Sequence, residues 1–173
     1  MNKTVTQEEF DNFKLKVITY IHQFYRGAKG TSILPTIFLK AFNKNYKTAP
    51  LPIELFETER RKDIAAETIK DMVKVSESPM MCFATEAWSA RLDKTDVDPN
   101  NLPKPSELPE DQRDEVIFLT FEAIDKSSYL MSFIKNIQED GSVKLKLHPV
   151  MNEGINDTEQ RSEGRFVNFY SGI

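Results

Sequence analysis

"CFATEAWSARL", residues 82–92, is the stretch on which the reading of the fold turns. Strand side chains alternate between faces, so Cys82, Ala84, Glu86, Trp88 and Ala90 point one way. All but one of these are small or apolar, and the pattern predicts a β-strand over residues 80–91 with that side against a core. Glu86 is the exception. A carboxylate on a core face needs a partner, and it stands two positions from the single tryptophan of the chain.

The elements around this strand follow from periodicity. Thr6 and Glu9 form a capping-box signature at a helix start. Phe10, Phe13, Val17, Tyr20, Ile21 and Phe24 then recur at spacings of three and four, the stripe of an amphipathic helix. A short apolar strand is predicted that begins after Pro35 or lies at a sheet edge, because proline cannot donate to a ladder. "NKNYKTAPLPIELF" (43–56), punctuated by Pro50 and Pro52, reads as a loop. A second helix is predicted from Thr58 to Val75, with Ile64, Ala65, Thr68, Ile69, Met72 and Val73 as its buried stripe.

Beyond Ser78–Pro79 the chain is rich in strands. "EVIFLTFEAID" (115–125) and "SYLMSFIKNI" (128–137) are separated by a tight connection. Asp140–Gly141 marks a hairpin turn, and Val143, Leu145 and Leu147 alternate with Lys144, Lys146 and His148, giving one buried and one wet face. "GRFVNFYSG" (164–172) is expected to close the sheet. Helices followed by consecutive hairpin-linked strands define an α+β class. The expectation is a mainly antiparallel sheet of about five to six strands with both long helices on one face.

The 173 residues are expected to form one domain, long enough for a substantial core without a disulfide or metal staple. A net charge of −4 argues against a direct nucleic-acid binder, which would show a basic excess. Cys82 is the single cysteine, so no disulfide framework and no cysteine-based zinc site can form. "MNKTVTQEEF" has no signal-peptide apolar segment, and no apolar run approaches membrane-spanning length, so a cytoplasmic protein away from membranes is expected.

The connection over 92–113 contains "DKTDVDPNNLPKPSELPEDQR". A connection of about 20 residues without its own structure is uncommon in a domain and tends to be functional or disordered. Pro99, Pro103, Pro105 and Pro109 stiffen it, and its acids outnumber its lysines. Asp96, Asp98, Asn100 and Glu107 match positions 1, 3, 5 and 12 of a calcium-binding EF-hand loop. The context opposes that match: a strand rather than a helix precedes it, and prolines interrupt it.

Motifs for nucleophilic catalysis, phosphate cradling or zinc hydrolysis are missing from the sequence. His22 reads as a helix-face residue, His148 stands at a strand end, and Cys82 reads as a buried hydrophobe without a cation to activate it. The remaining constellation is Glu86, Trp88, Arg91, Arg113, Glu115 and Glu122. Arg113 is the expected partner of Glu86. Were Glu86 to meet Glu122 across the ladder, the two carboxylates would push their pKa values apart as an acid/base pair needs.

Thr85-Glu86-Ala87-Trp88, followed by Pro105, Ser106, Pro109, Arg113, Glu115 and Val116, resembles a family of small bacterial and phage proteins. These share S/T-E-A-W and then P-S-x-x-P-x-x-R-x-E-V, with no established activity. This chain carries one extra residue between Pro109 and Arg113. "LPTIFL" upstream extends the likeness across residues 34–138. The resemblance implies a prokaryotic or phage source and joins Glu86, Trp88, Ser106, Arg113 and Glu115 into one unit. In that unit Glu86 would anchor the long loop, and Trp88 would pack against its prolines.

The sequence therefore reads as a non-enzymatic protein-binding module without a cofactor, an accessory or inhibitor protein of a phage or mobile element. Its expected binding residues are Glu86, Trp88, Ser106, Glu107, Arg113 and Glu115. The alternative is a ligand-binding or hydrolase-like site built on Glu86 and Glu122.

Overall fold

The computed structural model describes residues 4–27, 32–40, 45–91, 103–148, 166 and 169–170. The elements run α1 (Gln7–Gly27), β1 (Thr36–Lys40), β2 (Tyr46–Pro50), α2 (Glu59–Ser76), β3 (Met80–Ala90), β4 (Arg113–Ala123), β5 (Lys126–Ile137) and β6 (Val143–Leu147). The six strands form one antiparallel sheet in the order β2-β1-β3-β4-β5-β6. This is an α+β protein. Among the described residues, no helix is long and apolar enough to cross a membrane.

The capping box at the start of α1 is formed as the sequence predicts. The Glu9 backbone N–H donates to Thr6 Oγ1 at 3.1 Å, and the Thr6 N–H donates to Glu9 Oε2 at 3.0 Å. The buried stripe is Phe10, Phe13, Val17, Ile21 and Tyr25. Tyr20 was expected inside but lies on the flank, its ring edge-on to Phe38. Thr58 caps α2, its hydroxyl accepting from the Arg61 N–H. Residues Ala65, Ala66, Ile69 and Val73 form its buried face, whereas Ile64 is turned outward and exposed.

The expectation that both helices share a face is corrected. Phe38, Met80, Cys82, Ala84, Ile117, Leu119 and Phe121 pack with the α1 stripe. Ile37, Leu39, Met81 and Phe83 pack with Ile69 and Val73 of α2. Neighbouring strand residues point to opposite sides, so each helix covers its own face of the sheet. The central strand β3 is consequently buried on both sides over Met80–Ala84. A continuous apolar run is the pattern of such a strand.

A further expectation is corrected. Tyr46–Pro50 is a strand rather than a loop, and it pairs with β1 from Thr36↔Pro50 to Lys40↔Tyr46. Proline is tolerated there because β2 is an edge strand and Pro50 is its last residue. Most of the last strand expected over 164–172 lies outside the described residues; Phe166, Phe169 and Tyr170 lie in turns. They pack on the α2 face, where the Phe166 ring stacks on Phe83 at 5.0 Å and Phe169 is fully buried.

Candidate functional site

On the α1 face, the strip of sheet side chains changes from apolar to charged toward the end of β3. Glu86 follows Ala84 on that side and lies beyond Tyr25 of the last helical turn. In register, Trp88 faces Glu115 and Glu86 faces Ile117, which in turn faces Phe133. Lys135 lies two residues beyond Phe133 on β5, which brings it beside Glu115 on the same face.

Lys135 joins the two carboxylates. Its Nζ donates to Glu86 Oε1 at 2.9 Å and to Glu115 Oε1 at 2.8 Å, and its side chain is only 4% exposed. Glu86 Oε1 also accepts from the Tyr25 hydroxyl and from the Ile33 backbone N–H, the latter at 3.1 Å. Burial alone would raise the Glu86 carboxyl. The hydrogen bonds from Tyr25, Lys135 and Ser32 outweigh that cost and hold its pKa below the ordinary carboxylate value. Burial likewise acts to lower Lys135, but its bonds to Glu115 and Glu86 prevail and raise it. Burial and the Glu86 charge together push the Tyr25 phenol upward.

The sequence-derived pairing of Glu86 with Arg113 is therefore corrected. Glu86 ties the connection after α1 to the sheet, through Ile33. Arg113 takes the loop-anchoring role instead. Its NH1 donates to the Ser106 carbonyl at 2.5 Å, and its guanidinium lies 4.1 Å from the centre of the Trp88 ring. The neighbouring Arg91 supports the same end, donating from Nε to Asp114 Oδ1 at 2.8 Å and from NH1 to the Asp111 carbonyl at 3.1 Å. From Pro103 onward the loop is ordered into two 3-10 turns, Pro105–Glu107 and Glu110–Gln112, with Leu108 buried between them. Trp88 is 43% exposed.

The pairing of Glu86 with Glu122 is also corrected. Glu122 lies opposite Met81 on the α2 face, where it accepts from Ser128 Oγ at 2.9 Å and from the Phe169 N–H at 2.7 Å. The sheet separates the two carboxylates, so they form no acid/base couple. Among the calcium-loop candidates, Asp96, Asp98 and Asn100 lie outside the described residues. Glu107 is exposed. Cys82 is fully buried, and burial pushes its thiol upward, away from the reactive thiolate. His22 rests edge-on against Phe133.

Sequence reasoning missed Tyr25 and Lys135. The signal for Lys135 was present, since Tyr129, Met131, Phe133 and Lys135 share one face of β5 and Lys135 interrupts an otherwise aromatic and aliphatic row.

The arrangement can hold charge. Each ionised group of the Glu86–Lys135–Glu115 cluster faces an opposite charge, so the cluster acts as an electrostatic clamp. Glu86→Ala is expected to destabilise the protein by about 1–3 kcal/mol, because the Tyr25 hydroxyl loses its acceptor, the buried Lys135 loses one of its two carboxylates, and the Ile33 N–H keeps only the Tyr25 oxygen at 3.2 Å. Urea unfolding measures this directly, and an unchanged midpoint would remove the clamp role. No protein-family model, no curated protein and no solved structure matches the chain.

Proposed function

We propose that this α+β protein is a non-enzymatic protein-binding module that engages its partner through Trp88, Arg113 and the turns at 103–112. The observation that carries the reading is the half-exposed Trp88 ring lying under the Arg113 guanidinium, which itself holds Ser106 of the loop. Tryptophan and arginine are the side chains most enriched among residues that dominate binding energy at protein interfaces. Cation–π stacking and the Ser106 bond pre-organise both, so little rotamer freedom is left to lose on association. Glu107 and Glu110 stand exposed on the same turns, offering an acidic rim to a basic partner surface. The resemblance to small bacterial and phage proteins points to a partner in a bacterial cell, bound by an accessory or inhibitor protein.

The test sets the native chain beside Trp88→Ala, each immobilised and exposed to the same bacterial lysate, with retained proteins quantified by mass spectrometry. The expected result is a stoichiometric partner held by the native chain and weakened about 30-fold or more by the substitution, as loss of about 2 kcal/mol requires. Thermal melting of the variant establishes that it is folded. Equal retention of the same proteins by both chains would sink the reading.

A further inference from the structure

A second surface lies on the flank of α1, away from Trp88. Leu15, Lys16, Val17, Thr19, Tyr20 and Gln23 of the helix face Phe38 of β1 and Tyr46 and Thr48 of β2 across a mainly apolar groove of about 430 Å³. Leu15 is 62% exposed and Tyr20 is 44% exposed, so the rim carries large apolar side chains in water. The groove runs beside β2, an edge strand with no neighbour on its outer side among the described residues. Half of the backbone groups of an edge strand point away from the sheet and are free to pair with an added strand.

From this geometry we infer that β2 and the α1 groove together accept an extended, acidic segment of another protein, added to the sheet as a seventh strand. Strand addition uses main-chain hydrogen bonds for affinity and pockets for alternate side chains for selection. Here the register defines the alternation. Tyr46 and Thr48 share the α1 side with Phe38, because Phe38 pairs with Thr48. Alternate side chains of an incoming strand on that side therefore enter the groove, which selects aromatic and aliphatic residues. The intervening side chains lie on the face that carries Lys47.

Charge decides the class of occupant. Among the described residues that line the groove, Lys16 is the single charged one, and its ammonium lies 4.4 Å from the centre of the Tyr46 ring. Lys47 stands exposed on β2. Among the described residues, the two edge strands are both basic, with Lys47 on β2 and Lys144 and Lys146 on β6. Lysines on an edge oppose pairing with a like edge, so a second copy is disfavoured and a strand bearing glutamate or aspartate is favoured.

The experiment uses the full chain and two synthetic nine-residue peptides, each alternating Phe and Val with charged residues. One peptide carries glutamates and the other lysines at the same positions. Affinity is read by fluorescence polarisation at low salt, and the site by amide chemical-shift changes. The native chain is expected to prefer the glutamate peptide by at least about tenfold, with shifts concentrated on Tyr46–Ala49. Lys16→Glu is expected to abolish or reverse that preference, and Leu15→Glu to abolish binding of both peptides. Both residues are exposed on α1, so folding should survive, and circular dichroism checks it.

The inference is overturned if the native chain shows no saturation with millimolar glutamate peptide, or if Leu15→Glu leaves the binding intact. A dimer in sedimentation that Leu15→Glu dissociates would overturn it in another way, by giving the groove to a second copy. None of these variants touches Trp88 or Arg113, so failure here leaves the proposed Trp88 surface standing, and failure there leaves the groove.

Discussion

Lys135→Met is expected to destabilise the fold by about 3 kcal/mol, the lower end of the cost of breaking a buried ion pair by removing one partner. The substitution keeps most of the aliphatic stem and removes the ammonium between Glu86 and Glu115. Two like charges then face each other across a half-buried site. The cost stays at the lower end for two reasons. The Tyr25 hydroxyl and Ile33 N–H still bond to Glu86, and the Glu115 side chain, at 28% exposure, can turn toward water. Equilibrium urea unfolding at neutral pH gives the number. A loss below about 0.5 kcal/mol would place Lys135 with ordinary surface pairs.

The pH dependence of the same variant identifies the charge involved. In the native protein the folded pKa of Glu86 is depressed. Its contribution is therefore present above the unfolded carboxyl value and lost as pH falls through the lower folded value. Lys135 has a raised folded pKa. Its contribution is present below the unfolded lysine value and lost as pH rises through the higher folded one. Without Lys135, burial and the Glu115 carboxylate act on Glu86 unopposed by a cation and favour its protonated form. The stability gap between native and variant should therefore narrow as pH falls toward and through the carboxylate range. A gap that stays constant over that range would show that Glu86 is not the charge Lys135 serves.

Several parts of this architecture were legible because local rules and the tertiary fold agree. The Thr6–Glu9 capping box is a local hydrogen-bond pattern, and it forms. The tight connection before 128 and the Asp140–Gly141 turn each join strands in sequence, and those hairpins are where expected. Placement of the helices was not legible by the same means, because an amphipathic stripe says that a helix is covered but not on which side of a sheet. The clue lay in Met80–Ala84, an apolar run without alternation, which implies cover on both faces. For β2, Pro50 and Pro52 concealed a strand that edge position makes possible.

The candidate site was half legible. Glu86 and Trp88 were found by asking what an acid does on a core face. Their partners were exchanged: Arg113 was assigned to Glu86 by charge, and it went instead to the Trp88 ring and Ser106. Tyr25 escaped because Phe24, one position earlier, fits a helical stripe equally well. Positions one apart lie about 100° apart on a helix, so a one-residue error carries the side chain off the buried face. Lys135 escaped because a lysine near a strand end reads as solvated. Only the register of β3, β4 and β5 brings it beside two acids that are distant in sequence.

Phe169→Ala is expected to cost about 3–5 kcal/mol, the range for truncating a buried aromatic side chain. The value is large for a residue outside every helix and strand, and its surroundings explain why. Phe169 is fully buried in the α2-side core with Ile37, Leu39, Leu51, Ile69, Val73, Met81 and Phe83. Its ring meets Phe83 edge-to-face at 6.5 Å, and its backbone N–H donates to the buried Glu122 carboxylate at 2.7 Å. The adjoining Tyr170 hydroxyl donates to the Ser78 carbonyl at 2.9 Å, pinning the same segment to the start of β3. Removing the ring empties space between α2 and the sheet, and it loosens the N–H that helps satisfy Glu122. Since 1 kcal/mol shifts the midpoint of a protein of this size by roughly 2–4 °C, a fall in Tm of roughly 6–20 °C is expected. Phe166→Ala serves as the comparison. Its ring is only partly buried, stacked over Phe83 and tilted against Phe56, so its loss should cost less. Equal and small effects from both would mean that the segment lies on the core without belonging to it. A large effect from Phe169 with a smaller one from Phe166 would make the C-terminal aromatic a part of the cooperative unit that strands β1 and β3 define.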